Sequence, residues 1–325
     1  MTQQPSATAA YSPTRPMKIG TRGSPLAMAQ AHETRALLMA AHGLPEAAFE
    51  IVVIKVTGDD RFMVEADRPL KEIGNKGLFT REIEDALLAG EIDIAVHSTK
   101  DMPTEQPAGL VLDCFLPRED VRDAFLSGGA AAGIADLPQG AVVGTSSLRR
   151  RAQLLARRPD LKVVEFRGNV QTRLRKLSEG AAQATFLAMA GLNRLKMADV
   201  ATSAIAPEEM LPAVAQGAIG IERRADDGVT DAALEPLRCH ETGARLACER
   251  ALLAALDGSC QTPIAALALI EAGEIWLRAE ILRPDGSEVL RDEGRAPVAL
   301  AAGLGQTVGA RLKARAPEGF FSLPA

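Results

Sequence analysis

The sequence predicts an α/β protein: two lobes built on mainly parallel sheets, followed by a smaller α+β C-terminal unit. Three observations predict it. From Met17 to about residue 195, short apolar runs alternate with helix-periodic stretches, which is the βαβ rhythm of parallel sheets. The interval 114–140, with "LPRED", "GGAAAG" and "LPQG", breaks that rhythm and reads as a linker between two lobes. After about residue 240 the rhythm changes to one helix and several short strands.

Taken in order, "MKIG" (17–20) is a strand, and "TRGSP" leads to a helix beginning near Pro25, a residue suited to a first helical turn. "FEIVVIKV" (49–56) is a strand ending at "TGDD". The helix "FTREIEDALLAG" precedes "IDIAVHSTKD", where the run Ile94-Ala95-Val96 gives way to polar residues and Pro103 bars regular continuation. "AVVG" (141–144) leads through "TSS" to the helix "LRRRAQLLARR", stopped by Pro159. "LKVVEF" (161–166) leads through "RGN" to "VQTRLRKL", and "ATFLAMAG" (184–191) leads to "LNR". Later, "ARLACERALLAAL" is a helix, and "EIWLRAEIL" turns through "RPDGS" into "EVL" as a hairpin.

At 325 residues the chain exceeds most single cores, so roughly two or three domains are expected. Hydrophobic content of 47% and charged content of 24% belong to a soluble globular protein. No apolar run approaches the ~20 residues of a membrane helix. The start, "MTQQPSATAAYSPTRP", has no apolar signal core. Its lack of acids and its Ser, Thr and Ala are transit-like, but it is short with one Arg, so residues 1–16 read as a disordered extension. Cys114, Cys239, Cys248 and Cys260 form no C-x-x-C pair, which argues against a metal site or a disulfide framework. Reduced thiols in a cytoplasm fit best. Net charge is −5 but uneven: residues 145–195 hold eleven Lys/Arg against three acids. A basic island in an acidic protein points to a localised anionic ligand. Aromatics are only 3%, too few as stacking platforms to favour nucleic acid.

The polar motifs share one location. Arg22 and Ser24, His97 to Asp101, Thr145 to Arg150, Arg167 and Arg194 all follow apolar runs. Ligands of parallel sheets bind outside the carboxyl ends of strands, so these five clusters point to a crevice between two lobes. In "GTSSLRRRAQ", Thr145, Ser146 and Ser147 lie at a helix N-terminus, where free N–H groups and the dipole favour an anion. Arg149 and Arg150 can grip carboxylates bidentately; the competing reading is a Ser cap on a solvated basic face. "FRGNVQTRL" repeats the arrangement, with Arg167 on the loop and Arg173 one turn into the helix. No G-x-x-x-x-G-K-[ST] or G-x-G-x-x-G occurs, so nucleotide binding has no motif support. In "LDGSCQTPI", Gly258 and Ser259 place Cys260 on a turn where a thiol can react, the alternative being a buried small hydrophobe. Cys248 lies in an apolar helical pattern and reads as core. Cys239-His240 resembles a ligand pair only weakly. Lys100 beside Asp101 is a solvated turn unless partners elsewhere give it work.

Those partners form a signature. "TRGSPLAMAQA", "GNKGLFTREIE", "DIAVHSTKDMP", "GTSSLRRRAQL", "FRGNVQTRL", "LPAVAQGAIGIE" and "DGSCQTPIA" occur in this order and closely resemble the porphobilinogen deaminase family. The resemblance runs from about Met17 to the end, consecutive to about residue 265 and weaker beyond. It departs in two places: Ala215 stands where the family often has Gly in "VGQG", and Ser259 stands in its usual "GGC". The first leaves the backbone there open, and the second still permits an exposed turn.

The resemblance implies two type II periplasmic-binding-protein-like lobes and a cysteine-bearing third domain. Domain 1 would comprise 17–116 and 216–236, domain 2 would be 117–215, and the C-terminal domain 237–325. Cys260 would hold a covalent dipyrromethane cofactor by a thioether. Four porphobilinogens would be added to this primer with loss of ammonia, and hydrolysis would release hydroxymethylbilane. Asp101 matches the catalytic aspartate: a carboxylate near the pyrrole N–H groups stabilises the azafulvene cation and the attacked ring and can relay protons. Lys100 matches a ligand of cofactor carboxylates and helps keep Asp101 ionised. Thr145, Ser146, Ser147, Arg149, Arg150, Arg167 and Arg173 match the cofactor-binding set, which accounts for the basic island because each pyrrole brings an acetate and a propionate. Arg22, Ser24, Gln30 and Arg194 match the substrate side. The loop 59–77 resembles a mobile lid, with Lys76 and Phe79 at its end. No metal, nucleic acid or membrane is implied, and the family expectation is a cytoplasmic monomer.

The competing class is a non-catalytic two-lobed binding protein for an anionic small molecule. It suits the arginines and helix N-termini but leaves Cys260 and Asp101 without roles. An RNA-binding protein using 145–195 is a more distant reading.

Overall fold

In this computed structural model, residues 10–56, 80–129, 131–259 and 262–322 are described. The strands are β1 (Met17–Thr21), β2 (Phe49–Val53), β3 (Ile94–Ser98), β4 (Leu110–Phe115), β5 (Asp123–Leu126), β6 (Val142–Gly144), β7 (Lys162–Val164), β8 (Ala184–Ala188), β9 (Ser203–Ala204), β10 (Ile219–Arg224), β11 (Ile264–Glu271), β12 (Glu274–Leu282) and β13 (Val289–Pro297). The helices are α1 (Pro25–His42), α2 (Arg81–Leu88), α3 (Leu148–Arg157), α4 (Val170–Ser178), α5 (Met189–Arg194), α6 (Gly228–Leu234), α7 (His240–Ala255) and α8 (Ala301–Arg315).

The described residues form two units. The first holds residues 10–56, 80–118 and 218–243, and the second holds 119–217 and 244–322. The sheet of the first unit has the order β2-β1-β3-β10-β4. β1 runs parallel to β2 and β3, and β10 runs antiparallel to both β3 and β4. The second unit repeats that plan as β7-β6-β8-β5-β9, with β5 antiparallel to β8. It also carries an antiparallel β11-β12-β13 meander, on which α8 packs. The class is α/β as expected, but the sheets are mixed rather than mainly parallel, because each admits one reversed strand, β10 in the first and β5 in the second.

Local chemistry explains the elements that lead to the site. Ser24 caps α1 by accepting the Ala27 N–H, Pro25 opens the helix, and Gly43 ends it at φ 62°. Ala27, Gln30, Ala31, Thr34 and Leu38 form its buried stripe at helical spacing. Ser147 caps α3 through the Arg150 N–H, and Pro159 prevents extension. The core of the first unit gathers Met17, Ile19, Leu38, Phe49, Ile94, Val96, Ile219 and Ile221. Phe125, Val143, Leu154 and Phe186 centre that of the second.

Three expectations are corrected. The interval 114–140 is not a linker: Asp123–Leu126 is β5, buried at every residue and flanked by β8 and β9. Its apolar run of three after a charge was too short to read as a strand. Residues 10–16 are not disordered: Tyr11 is buried in the core of the first unit, and its phenol lies 2.7 Å from Thr230 Oγ1. One aromatic ring supplies burial that the polar composition concealed; residues 1–9 lie outside the described residues. Where three domains were expected the chain divides into two units, with 119–217 and 244–322 in one of them and divisions at 118/119, 217/218 and 243/244, the last spanned by α7.

Ala215 adopts φ 60°, and the following Gly217 adopts φ 89° with the Glu119 carbonyl 2.5 Å from where a Cβ would sit. The left-handed backbone costs Ala roughly 1–2 kcal/mol. It is held there by the buried Glu249, which accepts the Ala215 N–H at 2.7 Å and the Ala268 N–H at 2.9 Å.

Candidate active site

In the first unit β3 ends beside β10, and the chain turns through one 3-10 turn, Thr99–Asp101. The Thr99 N–H donates to the Ala218 carbonyl at 3.0 Å and so ties the turn to the strand entry of β10. The turn forms one side of a pocket whose polar wall comprises Arg22, Ser24, Gln30, Thr80, His97, Ser98 and Asp101. Arg22 and Ser24 come from the β1–α1 loop and Gln30 from α1. Gln30 is buried and its amide is fixed by Ser98: Nε2 donates to Ser98 Oγ at 2.9 Å, and Ser98 Oγ donates to Gln30 Oε1 at 3.2 Å. The pocket thus brings together Arg22, Ser24, Gln30 and Asp101, four residues separated by up to 79 positions in the sequence. Asp101 is exposed, with Lys100 half-buried before it.

The sequence reading gave His97 no role. It is buried, and its Nε2 lies 3.0 Å from Oε2 of the fully buried Glu222. Glu84 of α2 faces the same pair. Burial, chiefly, pushes its carboxyl above the usual range, and the Glu222 charge adds to this against the Thr80 hydroxyl and His97.

The second unit carries the basic set. Ser146 Oγ accepts the Phe166 N–H at 2.9 Å, Thr145 Oγ1 accepts the Ser147 N–H at 3.2 Å, and Ser147 caps α3. These hydroxyls therefore hold two successive strand-end loops in register. Arg149 and Arg150 differ from expectation. Rather than presenting free forks, both are buried on Asp123. Arg149 Nη1 donates to Asp123 Oδ2 at 2.8 Å and to the Leu211 carbonyl at 2.9 Å. Arg150 donates through Nε and Nη2 to Asp123 Oδ1, and through Nη1 to the Phe186 carbonyl at 3.0 Å. Gln216 Nε2 adds a bond to Asp123 Oδ1 at 3.0 Å. The reason is physical: a fully buried carboxylate at the start of β5 requires counter-charge. Burial alone would raise the Asp123 carboxyl, but the charges of Arg149 and Arg150 outweigh it and hold Asp123 far below the ordinary range. Burial presses Arg149 downward, since one carboxylate serves two guanidinium groups. The signal that could have found Asp123 is the stretch "RDAFL", a charge opening an apolar run.

Arg167 behaves differently. It is half-buried on the β7–α4 loop, and its Nε is buried without a hydrogen-bond partner among the described residues. Arg173, one turn into α4, donates Nε to the Gly168 carbonyl at 2.9 Å. Arg194 ends α5 and donates Nη2 to the Gly217 carbonyl at 3.1 Å. A buried guanidinium N–H without a partner is a donor suited to a carboxylate.

Cys260, Lys76, Phe79 and the whole of the expected lid 59–77 lie outside the described residues. Burial pushes the thiols of Cys114 and Cys248 up to about 12, which suits inert core positions.

Residues 17–232 match the family model described as porphobilinogen deaminase, dipyromethane cofactor binding domain, and residues 244–314 match porphobilinogen deaminase, C-terminal domain. The chain is 65% identical over 321 residues to porphobilinogen deaminase of Paracoccus denitrificans (strain Pd 1222), covering 99% of each chain. It is 54% identical over 310 residues to the chloroplastic porphobilinogen deaminase of Oryza sativa subsp. japonica, covering 94% of this chain and 85% of that one. Similar solved structures include the periplasmic VFT2 domain of Bordetella pertussis BvgS, at 16% identity and a TM-score of 0.39, covering 68% of this chain and 86% of that one. An arginine-specific periplasmic binding protein of Salmonella typhimurium has 13% identity and a TM-score of 0.39, with coverage of 68% and 91%.

Proposed function

The chain belongs to the porphobilinogen deaminase family, and from that premise we propose how its own residues carry the reaction. It is a transferase of tetrapyrrole biosynthesis that works with a dipyrromethane cofactor. The non-catalytic binding reading is thereby displaced. The observation that carries the assignment of roles is the first-unit pocket, in which Asp101 meets Arg22, Ser24 and Gln30.

Porphobilinogen, with its acetate and propionate, is the substrate. Arg22 and the Ser24 hydroxyl bind its carboxylates, and Gln30, locked by Ser98, shapes the wall against which the ring lies. Asp101 faces the cation left on the substrate when ammonia departs, and its negative charge lowers the barrier to that departure. Lys100 binds a carboxylate of the growing chain. Arg194 serves the elongation side.

Cys260 holds the cofactor by a thioether, and residues 244–322 form the domain that presents it. When bound, the cofactor supplies the pyrrole carbon on which the chain grows. The unpartnered Nε of Arg167 supports the fit of this carboxylate-bearing group. Arg167 and Arg173 are its carboxylate grips, while Thr145, Ser146 and Ser147 shape the N-terminus of α3, where the N–H groups of the first helical turn favour an anion. Arg149 and Arg150 act through Asp123, shaping the turn that those N–H groups come from.

The protein works as a cytoplasmic monomer without nucleic acid or membrane. Among the described residues no helix is long and apolar enough to cross a membrane. Intact-mass measurement tests the assignment. The wild type should carry the added mass of a dipyrromethane and Cys260→Ser should not; a normal cofactor mass on that variant overturns the role of Cys260.

A further inference from the structure

Under the activity proposed above, the aminomethyl nitrogen of porphobilinogen has to leave as ammonia, because an amide anion is far too basic to depart from carbon. The nitrogen must therefore hold three hydrogens as the C–N bond breaks. An amine bound in its neutral form has to take that third hydrogen from the protein. Asp101 serves by remaining negative, so the donor has to be a different group.

His97 stands in the wall of the same pocket, four residues before Asp101. Its partner is set by the register of the sheet: Gly220 lies opposite His97 and Glu222 opposite Ala95, so His97 and Glu222 share one face, two positions apart. Nε2 meets Glu222 Oε2 at 3.0 Å with both residues buried. The groups facing the imidazole are Glu222 from β10, Glu84 from α2, Arg22 from the β1–α1 loop and Asp101 from its own turn. With Nε2 engaged by Glu222, Nδ1 is the ring nitrogen that this bond leaves over.

We propose that His97, oriented by Glu222, is the proton donor to the departing amine. The Nδ1–H bond of the imidazolium breaks and its proton passes to the aminomethyl nitrogen. The C–N bond breaks, and its electron pair leaves with nitrogen as ammonia. Positive charge moves from the imidazolium to the pyrrole and its methylene carbon, which Asp101 faces, and the imidazole regains a proton from water before the next substrate. Glu222 is a positioning residue.

The test compares two substrates on cofactor-loaded protein in single turnover: porphobilinogen, and an analogue with acetoxymethyl in place of aminomethyl, whose acetate departs without a proton. Cofactor mass and melting temperature are checked for each variant. His97→Gln should lose roughly a hundredfold with porphobilinogen and change little with the ester. Glu222→Gln should lose roughly tenfold with porphobilinogen only. Equal losses on the two substrates, or no loss on either, overturn the proposal. If His97→Gln does not fold or load, the same ratio in Glu222→Gln decides it. A wild type that transfers neither substrate would instead sink the functional reading on which the proposal rests.

Discussion

Arg150 sets two donors on one oxygen of Asp123: Nε and Nη2 lie 3.1 and 2.7 Å from Oδ1, while Arg149 takes Oδ2 at 2.8 Å. The carboxylate is fully buried and the two guanidinium groups nearly so. Removing the central charge leaves two buried cations facing each other. Asp123→Asn should therefore cost about 3–5 kcal/mol of stability. Trp276, the single tryptophan, lies in the second unit, so its fluorescence during urea unfolding reports the change directly. A midpoint equal to wild type would remove Asp123 as the anchor of this unit.

The same group makes a prediction about pH. The folded Asp123 carboxyl is held below its ordinary value by Arg149 and Arg150 against the effect of burial. The unfolded state then binds its proton more readily than the folded state does. Its contribution is fully present above an ordinary carboxylate value near ~4 and is lost as pH falls through the lower folded value. Stability from this group should be flat between neutral pH and about 5 and decline below about 4. Asp123→Asn should show a shallower acid decline in the same unfolding series.

Much of this was legible in the residues. Pro25 announced α1, Pro159 closed α3, and Arg22, Ser24 and Asp101, read as strand-end residues of an inter-lobe crevice, share a pocket of the first unit. Three things were not legible. Tyr11 sits in a polar stretch whose composition says nothing of a ring docking on Thr230, 219 positions away. β5 carries too few apolar residues to show a period. The pairing of His97 with Glu222 depends on the register between β3 and β10, a long-range property that no local pattern encodes. Arg149 and Arg150 were expected as carboxylate grips and not as buried, because "LRRRAQ" on a helix has the periodicity of a solvated face.

Tyr11 is the single tyrosine, so phenolate absorbance reports this residue alone. Burial is the main cause that pushes its phenol up to about 12, with the Thr230 hydrogen bond working against it and Asp93 and Asp227 adding to it. Phenolate should therefore appear about two pH units above free tyrosine in the folded protein and return to the ordinary value of about 10 in urea. The folded state holds this proton more tightly, so the contribution persists below the ordinary value and is lost as pH rises through the folded one. Tyr11→Phe should cost about 1 kcal/mol, the net worth of one hydrogen bond. Ordinary titration in the native protein would release residues 10–16 from the core.

Arg167 and Arg175 separate a ligand-facing cation from a solvated one. Arg167 keeps an unpartnered buried Nε, whereas Arg175 is 68% exposed and pairs loosely with Glu179 at 3.7 Å. Arg167→Ala should weaken cofactor assembly or elongation by about 1.5–3 kcal/mol, the worth of one charged contact. Arg175→Ala should stay within about 0.5 kcal/mol on both assembly and stability. Cofactor occupancy by intact mass and stepwise elongation on native gels measure the two effects. Equal losses at both positions would assign the basic island to a general field rather than to specific grips.

Asp101 stands at the end of the 3-10 turn, exposed at the pocket, while Thr99 behind it is buried and bonded to Ala218. The turn is therefore held by backbone groups and by Thr99, not by the Asp101 carboxylate. Asp101→Asn keeps the size and the hydrogen-bonding atoms but removes the charge. If the carboxylate merely decorated the turn, the amide would serve as well and transfer would survive. If it stabilises the cation left by departing ammonia, the loss should be large, since removing a comparable electrostatic group typically costs about 10²–10³ in rate. We expect an unchanged far-UV spectrum, melting within a few degrees of wild type, and transfer reduced at least roughly a hundredfold. The decisive measurement is single-turnover transfer of one porphobilinogen to pre-assembled enzyme, which separates chemistry from cofactor loading. Because the charge acts on the substrate cation whatever the leaving group, Asp101→Asn should lose rate with porphobilinogen and with the acetoxymethyl analogue alike. That pattern distinguishes it from His97→Gln. Near-normal transfer would return the turn to a solvated role and move the search for the catalytic carboxylate to Asp59 and Asp60, outside the described residues.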